Sequence, residues 1–375
     1  MKKWKLPEDP QIRMLLGMTV LTVILTLAGY IFYIHLHTFD AFRIRSGHEK
    51  QDVEGTQYIM LGKSVVKYSH DGLFCVDLSG NVKWSIAYSM PNPICDTNGK
   101  CAVIAEQQGQ QVYVINEDGV LGHYETDLNI RKIRAASNGV AALLMEEEEV
   151  SWIRLYSAKG EQIASVRATL EGSGYPLDIA LTTDARRMAV SYMGINNMDL
   201  SSDIAFYDFS SAADDADSHL KGSVSYKDEV FPVIYYAGKN LVAAGDSEFI
   251  VFDSKNNEKT RVPLEQEIVS CFHDSSHIGF IFRSEQPDVK YELEVYNYHG
   301  KCTMTTQCTF EFEEARFDHN EILLWDAGHL NVYRANGRQK LDCTYEDDVH
   351  YFASLSGIRN YLVVTDGSID RIWIE

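Results

Sequence analysis

The residues best spaced for chemistry in this chain are carboxylates and histidines. Glu146–Glu149 form an unbroken acidic run. A calcium cage needs oxygen ligands at spaced positions around a tight loop, whereas contiguous residues on an extended chain point alternately to opposite sides. The run therefore reads as a solvated hairpin end. Asp214, Asp215 and Asp217 are better spaced for a cation but lack the Gly and distal Glu of an EF-hand loop. His273, Asp274 and His277 have the most ligand-like spacing, yet they fall just before the apolar run at Ile278, where a surface turn is the simpler reading. No G-x-S-x-G, H-E-x-x-H, Walker or dinucleotide fingerprint occurs. No catalytic, cofactor-binding or metal-ligating residue is assigned, and no cofactor is expected.

Seven cysteines, at 75, 95, 101, 271, 302, 308 and 343, form no paired C-x-x-C cluster of the zinc type. Cys95 with Cys101, and Cys302 with Cys308, are close enough in sequence to bridge if the domain is exported. Reduced thiols packed in strands are the simpler reading. No N-x-S/T acceptor is present, which disfavours a eukaryotic secretory origin.

Charge is unevenly distributed. The chain carries 34 basic and 54 acidic residues; its first fifty positions hold 7 and 4, so the remainder carries 27 against 50, a net of −23. Such a domain repels phosphate backbones and anionic lipid heads, so nucleic acid is excluded as a partner. It is no disordered acidic tail, because aromatic and aliphatic residues run throughout.

The elements that must position these side chains repeat at intervals of roughly forty residues. An apolar residue, a polar one and a turn residue three further on recur at Val76-Asp77 with Gly80, Ile115-Asn116 with Gly119, and Tyr156-Ser157 with Gly160. They recur again at Tyr207-Asp208 with Ser211, Phe252-Asp253 with Asn256, Tyr296-Asn297 with Gly300, and Tyr333-Arg334 with Gly337. Each unit reads as a β-hairpin preceded by a short apolar strand buried on both faces, such as Cys101 to Ala105 or Ile322 to Trp325. Four strands per forty residues is the pattern of a propeller blade. The fold expected is an all-β propeller of eight blades, with seven as the alternative. The C-terminus stops at Glu375, one strand short of a complete last blade, so closure requires a strand from elsewhere. Tyr58-Ile59-Met60-Leu61 is the expected donor.

Ahead of the repeats, Met14 to Leu36 hold 23 positions without Lys, Arg, Asp or Glu. At about 1.5 Å per residue this run crosses a hydrocarbon core of about 30 Å. It exceeds the apolar core of a cleaved signal and ends in Tyr30, Phe32, Tyr33 and His35, which suit a membrane interface. The organisation expected is a short basic cytoplasmic tail at 1–13, a membrane helix inserted in the lipid bilayer at 14–36, a juxtamembrane linker at 37–55 and the propeller at 56–375. Arg13 abuts the span, and the nearest following base is Arg43. That favours a cell-membrane protein with a cytoplasmic N-terminus and an extracytoplasmic propeller.

The stretch Phe74-Cys75-Val76-Asp77-Leu78-Ser79-Gly80-Asn81-Val82-Lys83-Trp84 resembles the repeat of the pyrroloquinoline-quinone-like propellers. Later units depart from it, with His123, Ala164 and Met304 at the place of the Trp. The resemblance implies a fold; no stretch matches that group's cofactor cradle, and no functional residue is carried over. As a whole, the chain also resembles an uncharacterised family of bacterial single-pass membrane proteins, which implies an exported domain.

On such a ring the turns alternate between two ends. One end collects the second-to-third strand loops and the blade crossovers, and with them Glu146, Glu147, Glu248, Asp228, Glu229, Glu265, Asp347 and Asp348. The other collects Lys100, Lys159, Lys239, Lys301, Arg338 and Arg359, together with the acids Glu117, Asp118, Asp214, Asp215 and Asp217. The candidate interaction face comprises Glu146, Glu147, Asp228, Glu229, Asp347 and Asp348, with Tyr175 and Phe231 as aromatic anchors; burial of those rings against neighbouring blades is the alternative. The function expected is a non-enzymatic scaffold or sensor binding a protein or cell-envelope component. The alternative is an exported hydrolase or lyase using carboxylates around the central channel.

Overall fold

The computed structural model describes residues 9–50, 52–196, 199–210 and 219–375. It opens with a helix at Pro10–Leu36, apolar on every side and long enough to cross a membrane. Asp9 caps it by accepting from the Gln11 amide at 2.9 Å, and Pro10 occupies the first turn, where its missing N–H costs nothing. Inside the helix Thr19, Thr22 and Thr26 donate back to the carbonyls of Leu15, Met18 and Thr22, so these three hydroxyls are satisfied within the helix itself.

The rest is an eight-bladed propeller of four-stranded antiparallel meanders. Blade 1 runs through Gln57–Leu61, Ser64–Ser69, Gly72–Asp77 and Val82–Ala87. Blades 2 to 7 start at Pro93, Asn129, Tyr175, Val233, Ile268 and Glu314, each in the same order. The second strands are the apolar runs expected to be buried on both faces: Leu143, Leu144, Val242, Phe280 and Leu323 are fully enclosed. Each core fills the space between two blades. Val103, Val112 and Val114 of blade 2, for example, pack on Ile133, Leu143 and Met145 of blade 3.

Blade 8 consists of Val349–Ser354, Asn360–Thr365 and Ser368–Ile374, and its fourth strand comes from the N-terminal side. The donor differs from the expectation. Phe42–Glu49 pairs antiparallel with the last strand, Phe42 opposite Ile374 and Glu49 opposite Ser368. Tyr58–Leu61 is instead the innermost strand of blade 1. The physical reason is strand supply: blade 1 needs an inner strand before Ser64, and only Gln57–Leu61 is available. Phe39 and the strand Phe42–Glu49, within the stretch expected as a linker, are accordingly built into the ring. Phe39 is fully buried between blades 7 and 8, and Asp52 accepts from Lys50 at 2.8 Å and Lys67 at 2.6 Å.

The innermost strands of neighbouring blades touch one another around the axis and are stitched by side chains. Asp96 accepts the Ala135 amide at 2.6 Å, Asp178 the Ile234 amide at 3.0 Å and Asp318 the Ser354 amide at 2.8 Å. Between blades 8 and 1 the Met60 amide donates to the Tyr351 hydroxyl at 3.0 Å.

Candidate functional site

The hairpin between the third and fourth strands of a blade is closed by a short polar side chain that accepts backbone amides from its own turn. Asp77 takes those of Ser79 and Asn81, Asn116 those of Asp118 and Gly119, and Ser157 those of Lys159 and Glu161. Asp253 and Asn297 act likewise, and Asp208 accepts from Ser210. Blade 7 has Arg334 at this place, a side chain with no acceptor to offer a turn. Its guanidinium reaches outward instead. Nη2 donates to the carbonyls of Ile34 at 2.8 Å and His37 at 2.7 Å, and Nη1 to Gln339 at 2.8 Å.

The last carbonyls of a helix lack intrahelical partners, and Arg334 supplies them. Beyond the helix His37 stacks on Tyr33, ring centroids 4.8 Å apart, and meets Phe39 edge-on. Phe39 bridges to blade 7: its amide donates to Lys340 and its carbonyl accepts from Asp342. The helix thus joins the ring with no slack, at the end that carries Lys63, Lys100, Lys239, Arg338 and Arg359 in its turns.

The opposite end carries the acids expected there. Glu146 accepts from Arg131 at 2.8 Å and from the Tyr175 hydroxyl at 3.0 Å, while the Arg131 guanidinium lies 4.5 Å from the centre of the Tyr175 ring. Glu147 accepts from the Trp152 indole at 3.2 Å. Glu148 sits at the tip with φ of 52°, so the run does not continue as an extended chain. A groove of about 770 Å³ opens between this hairpin and the crossover to blade 4, lined by Glu146, Glu148, Glu149, Glu171, Leu170 and Tyr175. Leu170 is 63% exposed in that acidic surrounding. Sequence reasoning missed it; an isolated Leu beside Glu171 in a crossover was the available signal.

Of the remaining candidates, Asp228 sits in the next crossover with φ of 58°, and Glu229 beside it accepts from the Ser247 amide and hydroxyl. Asp347 and Asp348 are exposed but lie between blades 7 and 8, half a turn around the ring from the groove. Phe231 is no surface anchor. It is fully buried in the core between blades 4 and 5, edge-on to Tyr226 at 5.1 Å, because the crossover turns it inward where apolar area leaves water.

The channel carboxylates Asp96, Asp178 and Asp318 are occupied as inter-blade stitches, and Asp178 also binds Arg134 at 2.7 Å. Burial pushes the Asp96 carboxyl upward despite Arg134 nearby. His273 stacks on Tyr235, and burial lowers it to about 4. Asp274 accepts the amides of Ser276 and His277, both at 2.6 Å, which makes this segment an ordinary turn. Among the described residues no group of three His, Cys, Asp or Glu is placed to hold a metal ion. Asp214, Asp215 and Asp217 lie outside the described residues. All seven cysteines are free, and Cys302 and Cys308 occupy opposite ends of one strand, about 20 Å apart, so they cannot bridge.

An eight-bladed propeller with an apolar helix clamped to one end defines the class of protein. The chain belongs to a family of unknown function (DUF5711), which it matches over residues 35–374. No curated protein matches it. Among solved structures it is similar to BamB from Moraxella catarrhalis, with a TM-score of 0.54 and 11% identity over 89% of this chain and 100% of that one. It is also similar to a eukaryotic initiation factor, at TM-score 0.52 and 14% identity over 90% and 87% of the two chains. Hydrazine synthase of Kuenenia stuttgartiensis gives 0.50 and 12% over 78% and 99%. At these identities the likeness is one of fold, and it spans propellers of unlike activity.

Proposed function

We propose that the chain is a membrane-anchored, non-enzymatic scaffold or sensor that docks a basic protein or cell-envelope component on its acidic end. The observation that carries this reading is the placement of the helix. Arg334 clamps its last turn to the end of the ring opposite Glu146, Glu148, Glu149 and Glu171. An inserted helix therefore aims the acidic end away from the bilayer, towards diffusing partners, with the propeller extracytoplasmic and the N-terminus cytoplasmic. Focused negative potential speeds encounter with cationic surfaces, and Leu170 and Tyr175 offer apolar contact within it. Asp96, Asp178 and Asp318 each accept an inter-blade amide, which weighs against their use as a catalytic pair in the hydrolase or lyase alternative.

A photo-crosslinking residue at position 170 in the full chain tests this in cells. Adducts should form with a basic partner and disappear in the Glu148→Lys, Glu149→Lys variant. Adducts of equal yield in that variant would reject the acidic end as the docking face.

A further inference from the structure

Where the helix meets the ring, the last helical turn and the end turns of blades 7 and 8 enclose a notch of about 340 Å³. Its walls are of two kinds. Ile34 and the 53% exposed Ile358 make an apolar side; Arg334, Lys340, His35 and His319 make a cationic and imidazole side. Glu321 is the carboxylate within the lining, and it is already engaged by Lys340 and, at 2.6 Å, by Tyr361. His319 is paired with Asp318 at 2.6 Å. Arg338 and Arg359 stand in the turns beside the notch, so positive charge exceeds negative around it. The electrostatics of Lys340 agree: burial depresses its ammonium, Glu321 counters this, and Arg334 and Arg359 depress it further.

Depth is set by the helix. Its apolar run ends at Leu36, and His37 alone separates it from Thr38, whose hydroxyl donates to the Gln339 carbonyl at 3.0 Å. With no linker between them, the notch lies at the height where the bilayer's phosphates must lie. We propose that this notch binds the headgroup of an anionic phospholipid, its phosphate held by the exposed His35, His319 and Arg338 above the buried, already paired Arg334 and Lys340, and its first acyl carbons along Ile358. Basic pockets beside membrane spans are known to hold anionic headgroups on the cytoplasmic or matrix side, and the same Coulomb attraction operates at either boundary. The sequence's net charge pointed to repulsion from anionic lipid. At the notch the carboxylates Asp318 and Glu321 are already paired with His319 and Lys340, and charges beyond about 8 Å are screened at physiological salt, which removes that objection locally. The inference rests on the membrane-anchored reading.

Thermal unfolding of the full-length protein in a neutral detergent tests it, with titration of dioctanoyl phosphatidylglycerol, dioctanoyl phosphatidylcholine or inorganic phosphate. Phosphatidylglycerol should raise the midpoint, and the other two should not. Arg338→Glu and Ile358→Glu alter exposed turn positions; both should melt like the parent without lipid and require about five-fold more phosphatidylglycerol for the same shift. Equal shifts with phosphatidylcholine, a shift reproduced by phosphate alone, or unchanged titrations in both variants would overturn the headgroup site. Alkaline washing of membranes reads the anchor separately: release of the chain would overturn the membrane reading itself, whatever the lipid titration gave.

Discussion

Arg334 and Ile34 stand 300 positions apart in the chain, and an Nη2 of the first donates to the carbonyl of the second at 2.8 Å. This contact turns a hydrophobic helix and a ring of sheets into one body. It also explains the departure of blade 7 from the repeat, since a side chain recruited to hold the helix cannot also cap its own turn.

Replacing Arg334 by Met should leave the carbonyls of Ile34 and His37 without their donor, while that of Gln339 keeps the Thr38 hydroxyl. The expected cost is about 1–3 kcal/mol, with faster hydrogen exchange at the amides of His37 and Phe39. Native-like protection of both amides in the variant would show that the clamp is dispensable.

A chain starting at residue 52 should lose far more stability than one starting at residue 37. The first lacks Phe39, worth about 3–5 kcal/mol when a buried Phe is removed, together with the whole closing strand from Phe42 to Glu49. The second lacks the helix but keeps the ring. Matching melting midpoints for the two chains would reject closure by this strand.

Much of this closure was legible from residues alone, and its one error is instructive. The spacing of Asp77, Asn116, Asp253 and Asn297 announces the blades, and a strand from the N-terminal side of the repeats was expected to complete the last one. The alternation of Phe42 and Ile44 with Arg43 and Arg45 also carries the strand period, but a segment beside a membrane helix suggests a tether rather than a sheet edge. Phe231 was misplaced for a different reason. Periodicity assigns faces within strands, whereas a crossover side chain such as this one follows tertiary packing alone. The role of Arg334 and the notch beside it were invisible for the same reason, because both depend on the N-terminal helix end being brought against turns of blades 7 and 8.

Asp52 gives a pH test of the junction between the closing strand and blade 1. Burial acts to raise its carboxyl, but hydrogen bonds from Lys50, Lys67 and Tyr58 outweigh that and hold it below its usual 3.8. A carboxyl lowered on folding contributes stability that is full above the unfolded value of about 4 and drains away as pH falls through the folded value. Asp52→Asn should therefore melt earlier than the parent by an amount equivalent to about 3 kcal/mol near neutrality, with the gap narrowing below roughly pH 4. A gap that stayed constant down to the acid limb of the melting curve would rule out the charged junction.

Asp178→Ala should destabilise the ring by about 3–5 kcal/mol, since it strands Arg134 and the Ile234 amide around a side chain only 2% exposed. Denaturant titration measures this. A midpoint equal to that of the parent would free Asp178 from its structural duty and reopen the channel to chemistry.

Because Phe42–Glu49 emerges from the ribosome among the first elements yet finds its partner in Ser368–Ile374, the earliest strand must wait for the last. Every incomplete chain keeps that edge open, a template for wrong partners. The circle thus closes only through a contact between its two most distant strands: a polypeptide lacking Ser368–Ile374 leaves the Phe42–Glu49 ribbon unpaired.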